Sequence, residues 1–182
     1  MNITTTRFSG NVEVRRGVVA DAAALAEFAA RSFADAFAAD NNPDDLQAHL
    51  TTSFGVPQQT RELDDPDEIT LLAQSAGTLL GYAQVRVNRP PDCITQPHAV
   101  EIHRFYVDRS AHGKGVALQL MNAAFDAARS LQGKHVWLSV WERNPRAIAF
   151  YGKCGFIDVG STNFFVGPDR QTDRVLIAPL AL

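Results

Sequence analysis

The residues His112-Gly113-Lys114-Gly115-Val116-Ala117 have the make-up of a phosphate cradle. They follow an apolar run ending Phe105-Tyr106-Val107 and open an amphipathic segment from Leu118 to Arg129. A strand, a glycine turn and a helix start leave backbone N–H groups without an intrahelical partner. Those amides carry the positive end of the helix dipole. Gly113 and Gly115 lack the Cβ atoms that would hold a ligand off the backbone, so a diphosphate can rest directly on the amides. The same residues also suit a plain surface turn ahead of a helix.

Two other phosphate motifs do not fit. A Walker loop needs Gly-Lys-Ser/Thr, and here Lys114 is followed by Gly115 and Val116, with no hydroxyl to hold magnesium. A dinucleotide fingerprint needs a third glycine, where Leu118 stands. The pattern that remains is Gln/Arg-x-x-Gly-x-Gly/Ala, with His112 in its first place. A second motif follows: Asn144-Pro145-Arg146-Ala147-Ile148-Ala149-Phe150-Tyr151, then Gly155-Phe156. In order and separation the pair resembles the GCN5-related N-acetyltransferase (GNAT) superfamily. The resemblance runs from about Val12 to the C-terminus, and its motifs lie between Glu101 and Phe156. His112 departs from the usual Gln or Arg, which bears on one side-chain contact to the phosphates.

The resemblance implies acetyl-CoA as cosubstrate, bound without metal, and transfer of its acetyl group to an amine. Such transfer needs a neutral amine and a proton for the departing thiolate. An alkyl ammonium has a pKa near about 10.4, so a base must take its proton, directly or through water. Tyr151 matches the family's general acid, which points at the CoA sulfur; its other reading is a packed aromatic beside Phe150. Glu101, at the start of the strand leading to the loop, matches the family's usual base, with Glu142 as competitor. Backbone groups of Phe105, Tyr106 and Val107 are expected along the pantetheine arm, Val107 foremost. His112, Gly113, Lys114, Gly115, Val116 and Ala117 are expected at the diphosphate. Asn144 serves as a helix N-cap and, in the family, as a cofactor contact; Lys153 is either near the phosphates or adenine, or simply solvated.

His49, His98, His103 and His135 show no metal spacing and read as surface or satisfied groups, with an acceptor-site role open to one of them. Trp137 and Trp141 read as packing residues, with a cation–π role open to Trp141. The stretch 137–144, the tail 167–173 and two early helices (Phe33 to Asp40 and Asn42 to Leu50) look like the bacterial polyamine (spermidine/spermine) N-acetyltransferase branch. A small-molecule amine is then the expected acceptor. A protein N-terminus or lysine, and a non-catalytic acyl-CoA-binding module, are the alternatives; Tyr151 argues against the last.

These motifs need a fold to place them. At 182 residues, the chain can bury roughly 70% of its unfolded surface. It reads as one domain over residues 1–182, with 1–11 a flexible tail. A formal net charge of −3 gives no basic footprint for nucleic acid. Cys93 and Cys154 form no ligand or redox spacing and read as free thiols in a reducing compartment. With no apolar leader and no apolar run of membrane length, the expectation is a cytoplasmic protein without membrane contact. The sequence is compatible with a homodimer and does not fix the oligomeric state.

Hydrophobic patterning predicts a strand at Val12–Arg15, then an alanine-rich helix capped by Asp21 with Leu25, Phe28, Ser32, Phe33, Ala36 and Phe37 near one face. Asn42-Pro43-Asp44-Asp45 predicts a second helix start. Arg61–Glu68 reads as an exposed acidic loop. Ile69–Gln74 and Leu79–Val87 read as a hairpin through Ser75-Ala76-Gly77, and Asn88–Pro97 as a loop. A strand at Ala99–Val107, a helix to about Leu131 ended by Gly133 at C′, and a strand at His135–Trp141 follow. The helix begun by Asn144-Pro145 ends at Gly155, with late strands at Phe156–Val159 and Val175–Ala178. This order predicts an α/β (α+β) fold with a mixed, mostly antiparallel sheet flanked by helices. It is the order of the acetyltransferase fold, in which acetyl-CoA occupies a gap between two splayed central strands.

Overall fold

The computed structural model describes residues 11–38 and 41–180. The expected tail lies outside these apart from Asn11, and so does the expected end of the first helix at Asp40. Strands β1 (Glu13–Arg16), β2 (Glu68–Ser75), β3 (Thr78–Arg86), β4 (Ala99–Val107), β5 (His135–Trp141), β6 (Ile157–Val166) and β7 (Asp169–Pro179) form one sheet in the order β1-β2-β3-β4-β5-β7-β6. Every neighbouring pair is antiparallel apart from β4 and β5. The helices are α1 (Ala22–Phe37), α2 (Pro43–Phe54), α3 (Val56–Asp64), α4 (Val116–Ser130) and α5 (Pro145–Lys153). This is the expected mixed sheet. No helix among the described residues is long and apolar enough to cross a membrane.

Alternation along the strands separates two cores. Ile69, Leu71, Val85, Val100, Val136, Leu138 and Leu176 pack with Leu120, Met121 and Ala124 of α4. Leu72 and Tyr82 face the opposite way and pack with Leu25, Phe28 and Phe33 of α1 and with Leu46 and Phe54 of α2. A third, smaller cluster sets Ile94 of the proline-rich loop on Trp137, Val175 and Ile177. Trp137 is therefore a packing residue, as read from its strand. Asn42 caps α2 through hydrogen bonds from the amides of Asp44 and Asp45, with Pro43 in the first turn.

Four local expectations change. The Asp21 carboxylate does not cap α1; it turns back to the Val18 amide (2.9 Å) and to the Arg15 guanidinium (2.8 Å). The positive φ after α4 belongs to Gln132 (62°), and Gly133 stands one place further on, its amide bonded to Ala128 O (2.9 Å). The two late strands are far longer than expected, because β6 and β7 go on pairing with each other past the end of β5, where Phe164 and Val166 pack on the second core. Arg61–Asp64 is the end of helix α3, and Glu68 opens β2. The acidic composition hid a buried function: Glu62 faces inward and takes hydrogen bonds from Gln58, Gln59, Gln84 and Arg104.

That network clamps α3 and the end of α2 to β3 and β4. Arg104 reaches Glu62 at 2.6 Å, Gln84 Oε1 at 2.7 Å and Ser53 O at 3.0 Å, with its guanidinium 4.7 Å from the Phe54 ring centre. Burial works against ionisation of Glu62, but the Arg104 charge and the hydrogen bonds outweigh it and lower its pKa. The stability this contributes is present above the ordinary carboxylate range and is lost as pH falls through the lowered value. Arg104→Met should destabilise the fold by about 3–5 kcal/mol in urea unfolding at neutral pH, because it leaves a buried charge unpaired. Adding Glu62→Met should recover most of that loss; a double variant as unstable as the single would reject the clamp.

Candidate active site

β4 and β5 pair in parallel over only three positions, ending at Glu101 opposite Trp137. Beyond that point they diverge, and a cleft of about 850 Å³ opens between them. The register of β4 against β3 slips here: Val85 faces Ile102 and Gln84 faces Arg104, so His103 is an extra, bulged residue. The bulge lets Ile102, Phe105 and Val107 all pack toward α4, while Tyr106 joins the opposite core and stacks on Tyr82. The cleft thus has two sides, one against α4 and α5 and one toward α1 and the β6–β7 hairpin.

On the first side lies the glycine loop. Asp108 donates its amide to Leu80 O (2.8 Å), so ladder alternation also turns the Tyr106 backbone toward β3. The amides facing the gap are then those of Phe105 and Val107, which narrows the expected pantetheine contacts; Tyr106 offers its side chain instead. A short turn at Arg109–Ala111 follows, its start capped by Asp108. The amides of His112 and Lys114 turn inward to Arg109 O and Ala111 O. Gly113 (φ 73°) and Gly115 (φ 84°) take the left-handed conformation between them. A Cβ at either would meet nothing within 4 Å, so the backbone conformation and the open space above it, not crowding, call for glycine. Gly115 is the N-cap of α4, and the first amides of the helix, at Val116 and Ala117, have no intrahelical partner. The loop therefore fits a diphosphate.

The departure at His112 has a local explanation. Arg146 of α5 reaches His112 Nδ1 at 2.9 Å, and His112 Nε2 lies 2.9 Å from Val107 O. Arginine has only donors, so Nδ1 accepts and Nε2–H donates. His112 ties the loop to β4 and α5, and Arg146, which sequence reasoning left unassigned, lines the cleft beside it. Asn144 caps α5 by accepting from the Ala147 amide (3.1 Å) and also lines the cleft. Lys153 does not line it.

Tyr151 projects from α5 into the cleft and is only 8% exposed. Its ring packs against those of Phe105, Phe150 and Phe156. The end of α5 fixes it there: Gly155 (φ 92°) sends its amide to Gly152 O and Phe156 sends its amide to Tyr151 O, each at 3.1 Å. This reciprocal C-cap is the physical content of the Tyr-x-x-x-Gly-Phe spacing. Burial raises the Tyr151 phenol well above its ordinary pKa, so it stays protonated and able to donate.

The second side holds the carboxylates. Glu101 stands at the vertex where pairing stops, bonded to Arg86 Nε (2.6 Å) and Asn88 Nδ2 (2.8 Å), with His103 Nδ1 at 3.8 Å. Burial opposes its ionisation, but the adjacent His103 imidazole and the charge and hydrogen bond of Arg86 prevail and hold it at about 2. Glu142 does not line the cleft. Asp173 of β7 does, and sequence reasoning missed it. It lies opposite Trp141 and two residues before Val175, in the row of side chains that includes buried Ile177. Extending that alternation back by two residues exposes the signal: a carboxylate in an apolar row. Burial pushes Asp173 up to about 6, against the hydrogen bond from Ser139 and with the charge of Glu142. Phe33, Phe37, Trp141 and Phe164 complete this side, Phe37 and Trp141 in edge contact at 5.8 Å. His49 and His103 line an adjoining chamber of about 430 Å³.

Gly115→Glu should lower coenzyme A affinity at least hundredfold in calorimetry, since it combines a strained left-handed conformation with a like charge at the diphosphate. Gly152→Ala, on the exposed face of α5 where an added Cβ meets nothing, should leave that affinity unchanged. Equal affinity in a folded Gly115→Glu variant would place the phosphates elsewhere.

The chain is similar to known proteins in sequence and in fold. Residues 28–156 match the Acetyltransferase (GNAT) family. An uncharacterized N-acetyltransferase of Lactobacillus delbrueckii subsp. lactis is 32% identical over 155 residues, covering 84% of this chain and 90% of that protein. The N-alpha-acetyltransferase RimI of Mycobacterium tuberculosis is 38% identical over 118 residues, 63% of this chain and 70% of that one. Among solved structures, the PaiA N-acetyltransferase of Thermoplasma acidophilum in complex with coenzyme A superposes with a TM-score of 0.74 at 17% identity, covering 93% of this chain and 99% of that chain. Splayed strands, glycine loop, capped tyrosine helix and sequence likeness lead to one assignment: the chain belongs to the GNAT family of acetyl-CoA-dependent N-acetyltransferases.

Proposed function

We propose that the protein transfers the acetyl group of acetyl-CoA directly to a primary amine of a small molecule, a polyamine being the acceptor we favour. The observation that carries this reading is the roof over the acceptor side. Gln171 of the β6–β7 hairpin donates to Asn41 Oδ1 (2.9 Å), and Phe164 packs on His49 of α2 at 5.8 Å. These contacts wall the cleft where a peptide acceptor would need an open groove. Carboxylates and aromatic rings together on that side suit a cation with an aliphatic body. The likeness to an N-alpha-acetyltransferase favours a second reading, an acceptor that is the N-terminus of a protein. Turnover of spermidine and spermine above that of N-terminal peptides supports the first; peptides as clearly better acceptors would establish the second.

In this mechanism the glycine loop and the Phe105 and Val107 amides hold the cosubstrate, and Tyr151 protonates the departing thiolate. Tyr151→Phe keeps the ring and its packing. Turnover should fall by about 10²–10⁴-fold with acetyl-CoA affinity unchanged, the mark of an interaction made in the transition state. Turnover near that of the unaltered enzyme, where chemistry limits the rate, would leave Tyr151 a packing residue.

Glu101 is suited to fix charge at the vertex. A carboxylate held at about 2 is a weak proton acceptor, and its bonds to Arg86 and Asn88 make it an anchor for both. Glu101→Gln should lower turnover while leaving the acid side of the pH–rate profile in place. Loss of that limb would instead identify Glu101 as the base.

A further inference from the structure

Apart from Asp173, the buried carboxylates of the cleft and its adjoining chamber are neutralised: Glu101 by Arg86 and Glu62 by Arg104. Asp173 is 7% exposed and, among the described residues, takes part in no ion pair. Its neighbours are Ser139 and Glu142 on the β5 side, and the Tyr106 phenol on β4, on which Asp173 and Arg104 act with opposite signs. Asp35 of α1 lies at the rim, and the facing β6 residue is Thr162. Burying a carboxylate without a counter-charge is costly. Glu68 is also buried and, among the described residues, in no ion pair, but it lies outside the cleft, and burial raises its pKa to about 7. Asp173 opens onto the acceptor side, between Trp141 and the hairpin, so the missing cation can be delivered by a ligand.

We propose that Asp173 is the counter-ion of the acceptor's ammonium group and the base that takes its proton. This rests on the acetyl-transfer reading above. The Asp173 carboxylate removes one proton from the ammonium and becomes a neutral acid. The freed nitrogen lone pair forms the N–C bond to the acetyl carbonyl carbon as the C–S bond breaks, the sulfur leaving with the electron pair. Tyr151 gives that thiolate a proton. The nitrogen's remaining surplus proton restores the Tyr151 phenol, and Asp173 releases its own to water. The sum is one amide, one CoA thiol and one proton. Tyr106 lines the same cleft and interacts electrostatically with both Asp173 and Tyr151.

Three measurements test this. Asp173→Asn should reduce kcat/KM for spermidine at least about 100-fold, abolish the acid limb of its pH profile and leave acetyl-CoA affinity unchanged. Turnover within threefold and an intact limb would overturn the proposal. Ser139→Ala removes the hydrogen bond that favours the charged form, so the limb should move to higher pH; an unmoved limb counts against Asp173. Carboxyl-labelled protein supplies a readout independent of turnover. The Asp173 resonance should titrate near about 6, and spermidine should lower that midpoint by stabilising the carboxylate. Titration below pH 4, or indifference to spermidine, would overturn the proposal whether or not the enzyme acetylates polyamines. Absence of acetyl transfer to any amine or peptide, with that resonance behaving as expected, would reject the underlying reading alone.

Discussion

The early end of the β4–β5 pairing is the constraint on which the rest of the structure depends. Two neighbouring parallel strands ordinarily continue their ladder, and backbone groups left unpaired inside a fold are costly. Here the ladder stops after three positions, and the unpaired edges become the walls of the cleft. The bulge at His103 follows from the same need, since it lets β4 turn apolar side chains to α4 and polar ones to the acceptor side. The loop, α4 and α5 then fall on one side of the gap, and α1, α2 and the hairpin on the other.

Much of this was legible in the sequence, where local chemistry and function coincide. The β4 limits, the Asn144-Pro145 helix start and the glycine loop are each set by residues whose conformational preferences leave few alternatives. Gly155 and Phe156 were legible as a motif, but only the structure gives their meaning, as a cap that fixes the turn carrying Tyr151. The illegible parts share a cause. Glu62 in α3 and Asp173 in β7 are charged residues placed inside by partners far along the chain, and composition reads such segments as solvated. Asp21 failed as a cap because Arg15 and the Val18 amide compete for its carboxylate. The ends of β6 and β7 pair with each other past the end of β5, and Val166 at the tip packs on α1 and α2, partners far along the chain.

The electrostatics divide in the same way as the packing. On the cofactor side the groups are backbone amides, a histidine held in one tautomer by Arg146, and a phenol kept protonated by burial. On the acceptor side the carboxylates differ sharply: Glu101 is locked as an anion by its cation and amide partners, whereas burial raises Asp173 to about 6. Two carboxylates in one cleft can thus serve different ends because their neighbours differ, with no difference in the chemistry of the group itself.

The roof of the acceptor side is anchored at its tip. Besides the side-chain amide bond from Gln171 to Asn41 and the ring contact of Phe164 with His49, Val166 is buried in the core with Leu46 and Phe54 of α2. The hairpin therefore shares the core that seats α1 and α2, and displacing it would expose apolar surface to water. Access to this side of the cleft is thus governed by packing shared with α1 and α2, while the glycine loop stands on the other side among elements of the first core.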